Sequence, residues 1–544
     1  MANTIHQAFA LAAARWAKLP FLCILPETAK IYGITAGELR YAEAAERIEA
    51  LRSAYAAAGY GHGHRIGILL ENRPAFFLHW FALNGLGVSV VPINPDMRAA
   101  ELEYLIGHSE IALAIALPER HADLLAAAER AGRPFQVMGE RDTPPEAAFP
   151  APLADTAPHE LSECALLYTS GTTGRPKGCI LPNRYFLHAG NWYANIGGLA
   201  ALRPGKERMI TPLPLVHMNA MAYSAMAMVM TGGCLIPLDR FHPRSWWTSV
   251  RESRATVVHY LGVMPAMLMK ADASPADRDH TVRFGFGAGV DRSLHGVFEE
   301  RFDFPLLEAW AMTETGAGAV IIANKEPRHI GTSCFGKEEA DVQVRLVTDD
   351  GREAGVEEQG ELLVRHAGDD PRYGFLAGYL KDEAATDEAW AGGWLHTGDI
   401  VRRDAEGYLH FVDRKKNVIR RSGENIAAVE VESVLQQHSL VKSVAVAAVP
   451  DPVRGDEVMA LVVADSTLAD RNAMEAAAAD LVNWTLSQLA YYKAPGYVAF
   501  VDALPLTTTN KIQRGELKAL APTLVESANC VNTCAMKKRQ GDHK

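Results

Sequence analysis

Disulfide chemistry has little to work with in this chain. Seven cysteines are spread over 544 residues, an odd and sparse set that argues against a cross-linked secreted scaffold and for a reducing cytosol. Long apolar runs are missing too: no uninterrupted stretch approaches the roughly 18 to 20 residues that span a bilayer. The run from Phe9 to Ala14 is too short for a signal-peptide core and closes on Arg15 and Lys18. Thr4 to Ala17 therefore reads as a capped helix, and the protein as cytoplasmic and not integral to a membrane. A cationic excess is also absent. Lys and Arg number 54 against 65 Asp and Glu, a net charge of −11, so no global field draws the molecule to nucleic acid or an anionic surface. Any anion it binds must be caught locally.

Several catalytic strings are missing as well. There is no G-x-x-x-x-G-K-[ST], no H-E-x-x-H, no paired C-x-x-C and no G-x-S-x-G, which leaves Walker-type, zinc-hydrolase and serine-hydrolase readings without an anchor. Gly61, Gly63 and Gly67 make G-x-G-x-x-x-G, one residue off the dinucleotide spacing and ahead of a strand instead of a helix. What remains is ordinary globular usage, 48% hydrophobic and 22% charged. The length predicts roughly three or four domain-sized units, or one large domain with a satellite.

From Arg65 onward, short aliphatic runs alternate with helical patterns: Ile66 to Leu70, Pro74 to Leu86, Val88 to Ile93, Ala99 to Gly107, Ile111 to Ala116. This is βαβ alternation and predicts a parallel sheet faced by helices. The rhythm resumes at Ala165 to Tyr168, Val257 to Leu261 and Val282 to Phe286. Beyond about Glu361 the strands shorten and Gly and Asp turns multiply. A helix over Ala427 to Gln437, strands at Ser443 to Val449 and Val458 to Ala464, a helix from Asp470 to Leu489 and a strand near Tyr497 to Val501 complete a second unit of α+β texture. The expected division is a body of residues 1–413, a hinge at 414–416, a small unit at 417–526, and a tail at 527–544. That tail carries no periodicity and reads as disordered, with Cys530 and Cys534 as idle thiols.

The most informative string runs Tyr168-Thr-Ser-Gly-Thr-Thr-Gly-Arg-Pro-Lys-Gly178, straight after an apolar strand. Its glycines let backbone N–H groups come close, its hydroxyls Thr169, Ser170, Thr172 and Thr173 donate, and Arg175 and Lys177 neutralise charge. Together these suit a polyphosphate.

The loop resembles the phosphate-binding signature of the adenylate-forming superfamily, which includes the acyl-CoA synthetases. Companions follow in order. Leu213-Pro-Leu-Val-His217-Met-Asn219 is similar to the segment whose His lines the acyl pocket, and Glu308-Ala-Trp310-Ala-Met312-Thr313-Glu314-Thr315 to the aromatic-Gly-Met-Thr-Glu motif. His396-Thr-Gly-Asp399 resembles the ribose-binding turn. Asp413-Arg414-Lys415-Lys416, then Ser422-Gly-Glu-Asn425, resemble the hinge and its loop, and Thr508-Thr-Asn510-Lys511-Ile-Gln-Arg514 the catalytic-lysine motif.

The resemblance implies the adenylate-forming enzyme fold, an α/β body of several subdomains with a small mobile α+β C-terminal domain. It implies an acid-thiol ligase that joins a carboxylic acid to CoA, consuming ATP with Mg²⁺ and releasing AMP and pyrophosphate. Lys511, Thr169, His217 and Glu314 would be catalytic, with Glu314 the metal ligand. ATP would lie against Thr169, Ser170, Gly171, Thr172, Thr173, Gly174, Lys177, Gly287, Ala288, Gly289, Glu308, Ala309, Trp310, Met312, Thr313, Asp399 and Arg414. Lys416 would be the hinge, Ser422, Gly423 and Glu424 the CoA contacts, and Trp192, His217, Met218, Met221, Gly262 and Trp310 the acyl pocket. The family usually has Tyr at 310, Gly at 311 and Pro at 290, where this chain has Trp, Ala and Val. The mixed aromatic, Met and small lining suits a small or medium acid. Partners would be small molecules only, and the resemblance also suggests a homodimer. Two alternatives stay open: delivery of the acyl group to a carrier protein, although no Gly-x-Asp-Ser is present, and a crotonobetaine/carnitine-type CoA ligase, hinted at by Val412-Asp-Arg and Arg421-Ser-Gly-Glu-Asn.

Overall fold

The computed structural model describes residues 2–169, 175–414, 418–465, 468, 470–505 and 512–538. The first helix, Ile5–Arg15, begins where the Thr4 hydroxyl accepts from the Gln7 N–H at 3.2 Å, a side-chain cap on an otherwise orphan donor. The expected alternation then appears as strand Arg65–Leu69, helix Pro74–Asn84, strand Ser89–Pro92, helix Ala99–Ser109 and strand Leu113–Ala116. All three strands are parallel. Ser89–Pro92 is buried on both faces, which is why its sequence is apolar without alternation. The helix Pro74–Asn84 has no polar face: every residue from Phe76 to Asn84 is buried. Phe81 packs on Phe9 of the first helix at 4.8 Å, and Trp80 on Phe186 of helix Asn183–Asn195 at 5.3 Å.

Two larger sheets and a smaller one build the body. In the seven-stranded sheet the order is Gly378–Tyr379, Lys177–Pro182, Glu163–Thr169, Ser89–Pro92, Arg65–Leu69, Leu113–Ala116, Gln136–Met138. The eight-stranded sheet places Phe284–Ala288 between Val257–Leu261 and Leu306–Trp310, all parallel. Five antiparallel strands, among them Leu395–Arg403 and Leu409–Arg414, form the third. Ligands in sheets of parallel strands gather at the carboxyl ends. Here Tyr168, Leu261, Ala288 and Trp310 all lie at such ends.

The small unit has a core of its own, built on Ile419, Ile426, Val431, Leu435, Val446, Val462 and Leu481. Its elements match the expected ones: helix Ala428–Leu435, strands Val441–Asp451 and Gly455–Ala464, helix Arg471–Gln488 capped by Asp470, and strand Tyr497–Phe500. The reading of 527–544 as disordered is corrected over residues 527–538. Cys530–Asn532 forms a strand antiparallel to Tyr497–Phe500, with Cys530 and Val531 only 5% and 6% exposed. A three-residue edge strand shows no period, so composition alone hid it. Residues 539–544 lie outside the described residues.

The body and the small unit meet around Lys493. Its ammonium lies 2.5 Å from Glu101 of the body and 2.8 Å from Glu430 of the small unit, and all three side chains are nearly inaccessible. Glu101 also accepts the Ala490 N–H at 2.8 Å, and Asn94 donates to the Tyr492 hydroxyl at 3.2 Å. Burial works against the Lys493 charge, but the two carboxylates outweigh it and raise its pKa.

Candidate active site

Strands Glu163–Thr169 and Lys177–Pro182 pair antiparallel, with Thr169 opposite Lys177. The loop between them thus leaves and returns at one point, although Ser170, Gly171, Thr172, Thr173 and Gly174 lie outside the described residues. At its base the Tyr379 hydroxyl donates to Glu314 Oε1 at 3.0 Å, and the Thr169 hydroxyl reaches the same oxygen at a long 3.5 Å. The Lys177 ammonium stands 4.7 Å from the centre of the Tyr379 ring, a cation–π contact. Burial and the facing carboxylate push the Tyr379 phenol up, so it remains a donor. Sequence reasoning missed Tyr379. It arrives by the pairing of Gly378–Tyr379 with Cys179 and Ile180, a contact across some 200 residues of chain that no local pattern announces.

The turn Met312–Gly316 is held from behind by two tyrosines. Tyr185 donates to Thr313 O and Tyr223 to Gly316 O, each at 2.9 Å, and Leu376 N donates to Glu314 O at 3.0 Å. Glu314 is 9% exposed. One carboxylate and one hydroxyl are hard oxygen donors, and Mg²⁺ is commonly held by one or two carboxylates together with substrate phosphates. No group of three His, Cys, Asp or Glu able to hold a metal unaided exists among the described residues. The donor set therefore fits Mg²⁺ arriving with a polyphosphate.

Trp310 ends its strand buried, 6% exposed, and its indole N–H donates to Asp399 Oδ2 at 2.9 Å. Its ring is packed toward Phe335 and presents little open face for adenine. Asp399 follows Gly398, whose φ is 70°, and lies opposite Arg414 in the neighbouring strand. The side chain of Arg414 is outside the described set. Ala309, half-buried, precedes Trp310 in its strand, and Met312 and Thr313 open the turn that carries Glu314.

The turn Gly287-Ala288-Gly289-Val290 is fixed by Glu308. This carboxylate accepts from Tyr260 Oη at 2.9 Å, Gly289 N at 2.9 Å and Val290 N at 3.2 Å. Glu308 was expected as a nucleotide contact; its carboxylate is turned inward and positions the turn instead. Burial raises its pKa although all three donors favour the charged form. The turn itself leaves no room at Gly262, where a Cβ would fall 1.6 Å from Gly289 O.

Around the expected acyl pocket, Trp192, Tyr223 and Phe286 form an aromatic cluster with ring centres 5.6 to 6.3 Å apart. Asn219–Ala225 is a π-helix, a widened turn often found at functional sites. Behind it His259, fully buried, meets Asn219 Oδ1 and Ser224 Oγ at 2.8 Å through Nδ1 and Tyr193 Oη at 3.1 Å through Nε2. Burial brings its pKa down to about 3, so it is a neutral structural hub. Met218 is 8% exposed, but Met221 is 0% exposed and sits in the core. Met221, expected in the pocket lining, has no accessible surface here.

From the small unit, Glu424 Oε1 approaches His217 Nε2 to 3.3 Å, and Gly423, φ 91°, is pressed against Leu261 so closely that a Cβ would meet Leu261 Cδ1 at 2.3 Å. Ser422 adopts φ 52°, which costs a residue with a side chain about 1–2 kcal/mol. Of the three residues expected to face CoA, Glu424 thus touches the expected acyl-pocket histidine and Gly423 packs on Leu261. Lys416 and Lys511 lie outside the described residues. Burial draws the His217 imidazole down, yet the charge and hydrogen bond of Glu424 outweigh it, and the pKa ends above its ordinary 6.5. A raised histidine supports this contact fully below pH 6.5 and loses it as pH climbs through the raised value. In Glu424→Gln the imidazole, followed by NMR, should titrate lower than in the wild type because the charge and hydrogen bond that raise it are gone. An unchanged titration would remove the contact as its cause.

The family model described as AMP-binding enzyme matches residues 26–379, and that of the AMP-binding enzyme C-terminal domain matches residues 430–511. The chain is 31% identical to a sulfoacetate–CoA ligase of Cupriavidus necator, over 95% of this chain and 97% of that protein. It is 28% identical to a crotonobetaine/carnitine–CoA ligase of Salmonella typhimurium, over 90% and 96%. Its fold matches o-succinylbenzoate CoA synthetase from Bacillus subtilis with a TM-score of 0.78 at 23% identity, covering 94% of this chain and 98% of that one. Matched over most of its length by these two family models, this chain belongs to the AMP-binding enzyme family.

Proposed function

We propose that the protein is an ATP-dependent carboxylate:CoA ligase that turns an acid, ATP and CoA into acyl-CoA, AMP and pyrophosphate through an acyl-adenylate. The observation that carries this reading is the contact of Glu424, from the small unit, with His217 of the body, in a chain that also gathers Thr169, Glu314 and Tyr379 at the base of the 170–174 loop. In the first half-reaction a carboxylate oxygen bonds to the α-phosphorus and the bond to pyrophosphate breaks. Mg²⁺, when bound, draws charge off the departing pyrophosphate. Thr169 and the loop after it hold the phosphates, Tyr379 keeps Glu314 in place, and Asp399 accepts from the ribose hydroxyls. Lys511 steadies the α-phosphate and the attacking carboxylate. In the second half the CoA sulfur bonds to the acyl carbon and AMP leaves, with His217 and the Ser422–Glu424 loop lining the approach. Relatives named as CoA ligases support this second step.

We read the substrate as a small or medium acid, since Trp192 and its ring neighbours close the expected pocket. Mg²⁺ is the metal, Lys416 the hinge, and a second copy of the chain the expected oligomeric partner. The reaction is placed in the cytoplasm. In support, all seven thiols are unpaired.

A panel of carboxylates, short, branched, aromatic, sulfonated and quaternary-ammonium acids among them, should reveal one class that releases pyrophosphate without CoA and AMP only with it. Carboxylate-dependent pyrophosphate release that CoA never accelerates would point to a carrier protein as acceptor.

A further inference from the structure

The ordered tail reaches the loop that meets His217. Lys537 and Glu457 form an ion pair whose two side chains are 0% exposed. The other carboxylate oxygen of Glu457 accepts from Arg421 Nε at 2.8 Å, and Arg421 is itself 6% exposed at the side chain. Arg421 ends the strand Val418–Arg421, and the next three residues are Ser422, Gly423 and Glu424. The tail is fixed to the same place by its backbone. Thr533 N donates to Gly496 O at 2.9 Å, the Thr533 hydroxyl to Pro495 O at 2.8 Å, and Arg471 to the carbonyls of Ala528 and Cys530 at 2.7 and 2.9 Å. Gly496 has no Cβ because Glu457 occupies that space, its carboxyl carbon 2.5 Å from where the atom would be. Burial first, then the neighbouring Arg421 charge, pull the Lys537 ammonium down to about 8, against which Glu457 holds it charged at neutral pH.

We propose that residues 530–538 brace the Ser422–Glu424 loop, and that Lys537 is a positioning residue for transfer of the acyl group to CoA. The inference rests on the reading above that this loop serves the CoA half-reaction. Ser422, with φ of 52° ahead of Gly423, holds a backbone conformation that a residue with a side chain keeps only where its surroundings over-determine it. The Arg421–Glu457–Lys537 chain supplies that determination from one side, and the Ser422 N–H to Arg454 O bond, 2.8 Å, from the other. Without Lys537, Arg421 and the Val458 N–H, 2.8 Å away, are left to satisfy a carboxylate that water does not reach.

Lys537→Met in the full chain separates the roles. With the best acid from the panel, acid-dependent exchange of pyrophosphate into ATP should stay within about twofold of wild type, while transfer from pre-made acyl-adenylate to CoA slows at least tenfold with a raised KM for CoA. Lys538→Met, altering an exposed neighbour, should do neither. Amide exchange at Gly423 and Glu424 should quicken at least tenfold in Lys537→Met. Wild-type CoA transfer together with unchanged exchange overturns the brace, as does an equal fall of both half-reactions. A wild-type chain that forms adenylate but never transfers it to CoA would sink the reading of the loop instead, and amide exchange would then decide the brace by itself.

Discussion

Lys511→Ala should lower adenylate formation about 10²- to 10³-fold, the usual effect of removing one preorganised charge from a developing anion, and leave transfer from pre-made acyl-adenylate to CoA within a few-fold of wild type. In-line displacement at the α-phosphorus brings a carboxylate toward a phosphate, and a cation between them steadies both reactants and the negative charge of the transition state. Nothing comparable is required once AMP is the leaving group. Then the groups that matter are those on the face of the small unit carrying Glu424, already against His217. The measurement is acid-dependent pyrophosphate release in one assay and thioester formation in the other. Equal loss in both would refute the assignment of Lys511 to the first step.

Gly262→Ala should be nearly as damaging, for a steric reason. Its methyl would fall 1.6 Å from the Gly289 carbonyl oxygen, a backbone atom that cannot swing aside. Gly262 N also donates to Ala288 O at 3.0 Å, so the two chains cannot part without losing that bond. Displacing Gly289 pulls its amide and that of Val290 from Glu308. Overpacking typically costs about 1–3 kcal/mol, and stranding a buried acceptor about 1–3 kcal/mol more. The expected result is a KM for ATP raised at least about tenfold and a melting temperature several degrees lower. Gly515→Ala is the matched contrast. It sits in helix Arg514–Leu524 with nothing within 4 Å of the added carbon, and should gain about 0.5–1 kcal/mol. Wild-type ATP kinetics in Gly262→Ala would dismiss the turn as an adenine contact.

The parts of this molecule visible in the sequence are those with local signals. The Thr4 cap, the βαβ rhythm from Arg65 and the Asp470 cap each declare themselves within a few residues. The phosphate loop and its companions were visible because their chemistry needs dense, ordered motifs. Tyr379 was invisible because it reaches Glu314 through a two-residue edge strand paired far along the chain. Glu308 stands in a recognisable motif, but only the fold shows that its carboxylate faces Gly289 and Val290. Met221 and Lys493 carry no sign in sequence of which way they point. Lys537 looked like one more charge in a polar tail, yet it is among the least accessible lysines a protein can hold.

The Glu101–Lys493–Glu430 cluster bears on how firmly the two units adhere. An apolar seam of the same size would gain free energy with every Å² covered and would resist opening. Removing three charges from water costs nearly as much as their attraction returns, so a contact of this kind specifies one alignment sharply while sitting close to break-even in strength. While the units are closed, salt screens so buried a cluster little. The small unit is therefore keyed to its place without being glued there, which is the property an enzyme needs if the same piece must let go in every cycle.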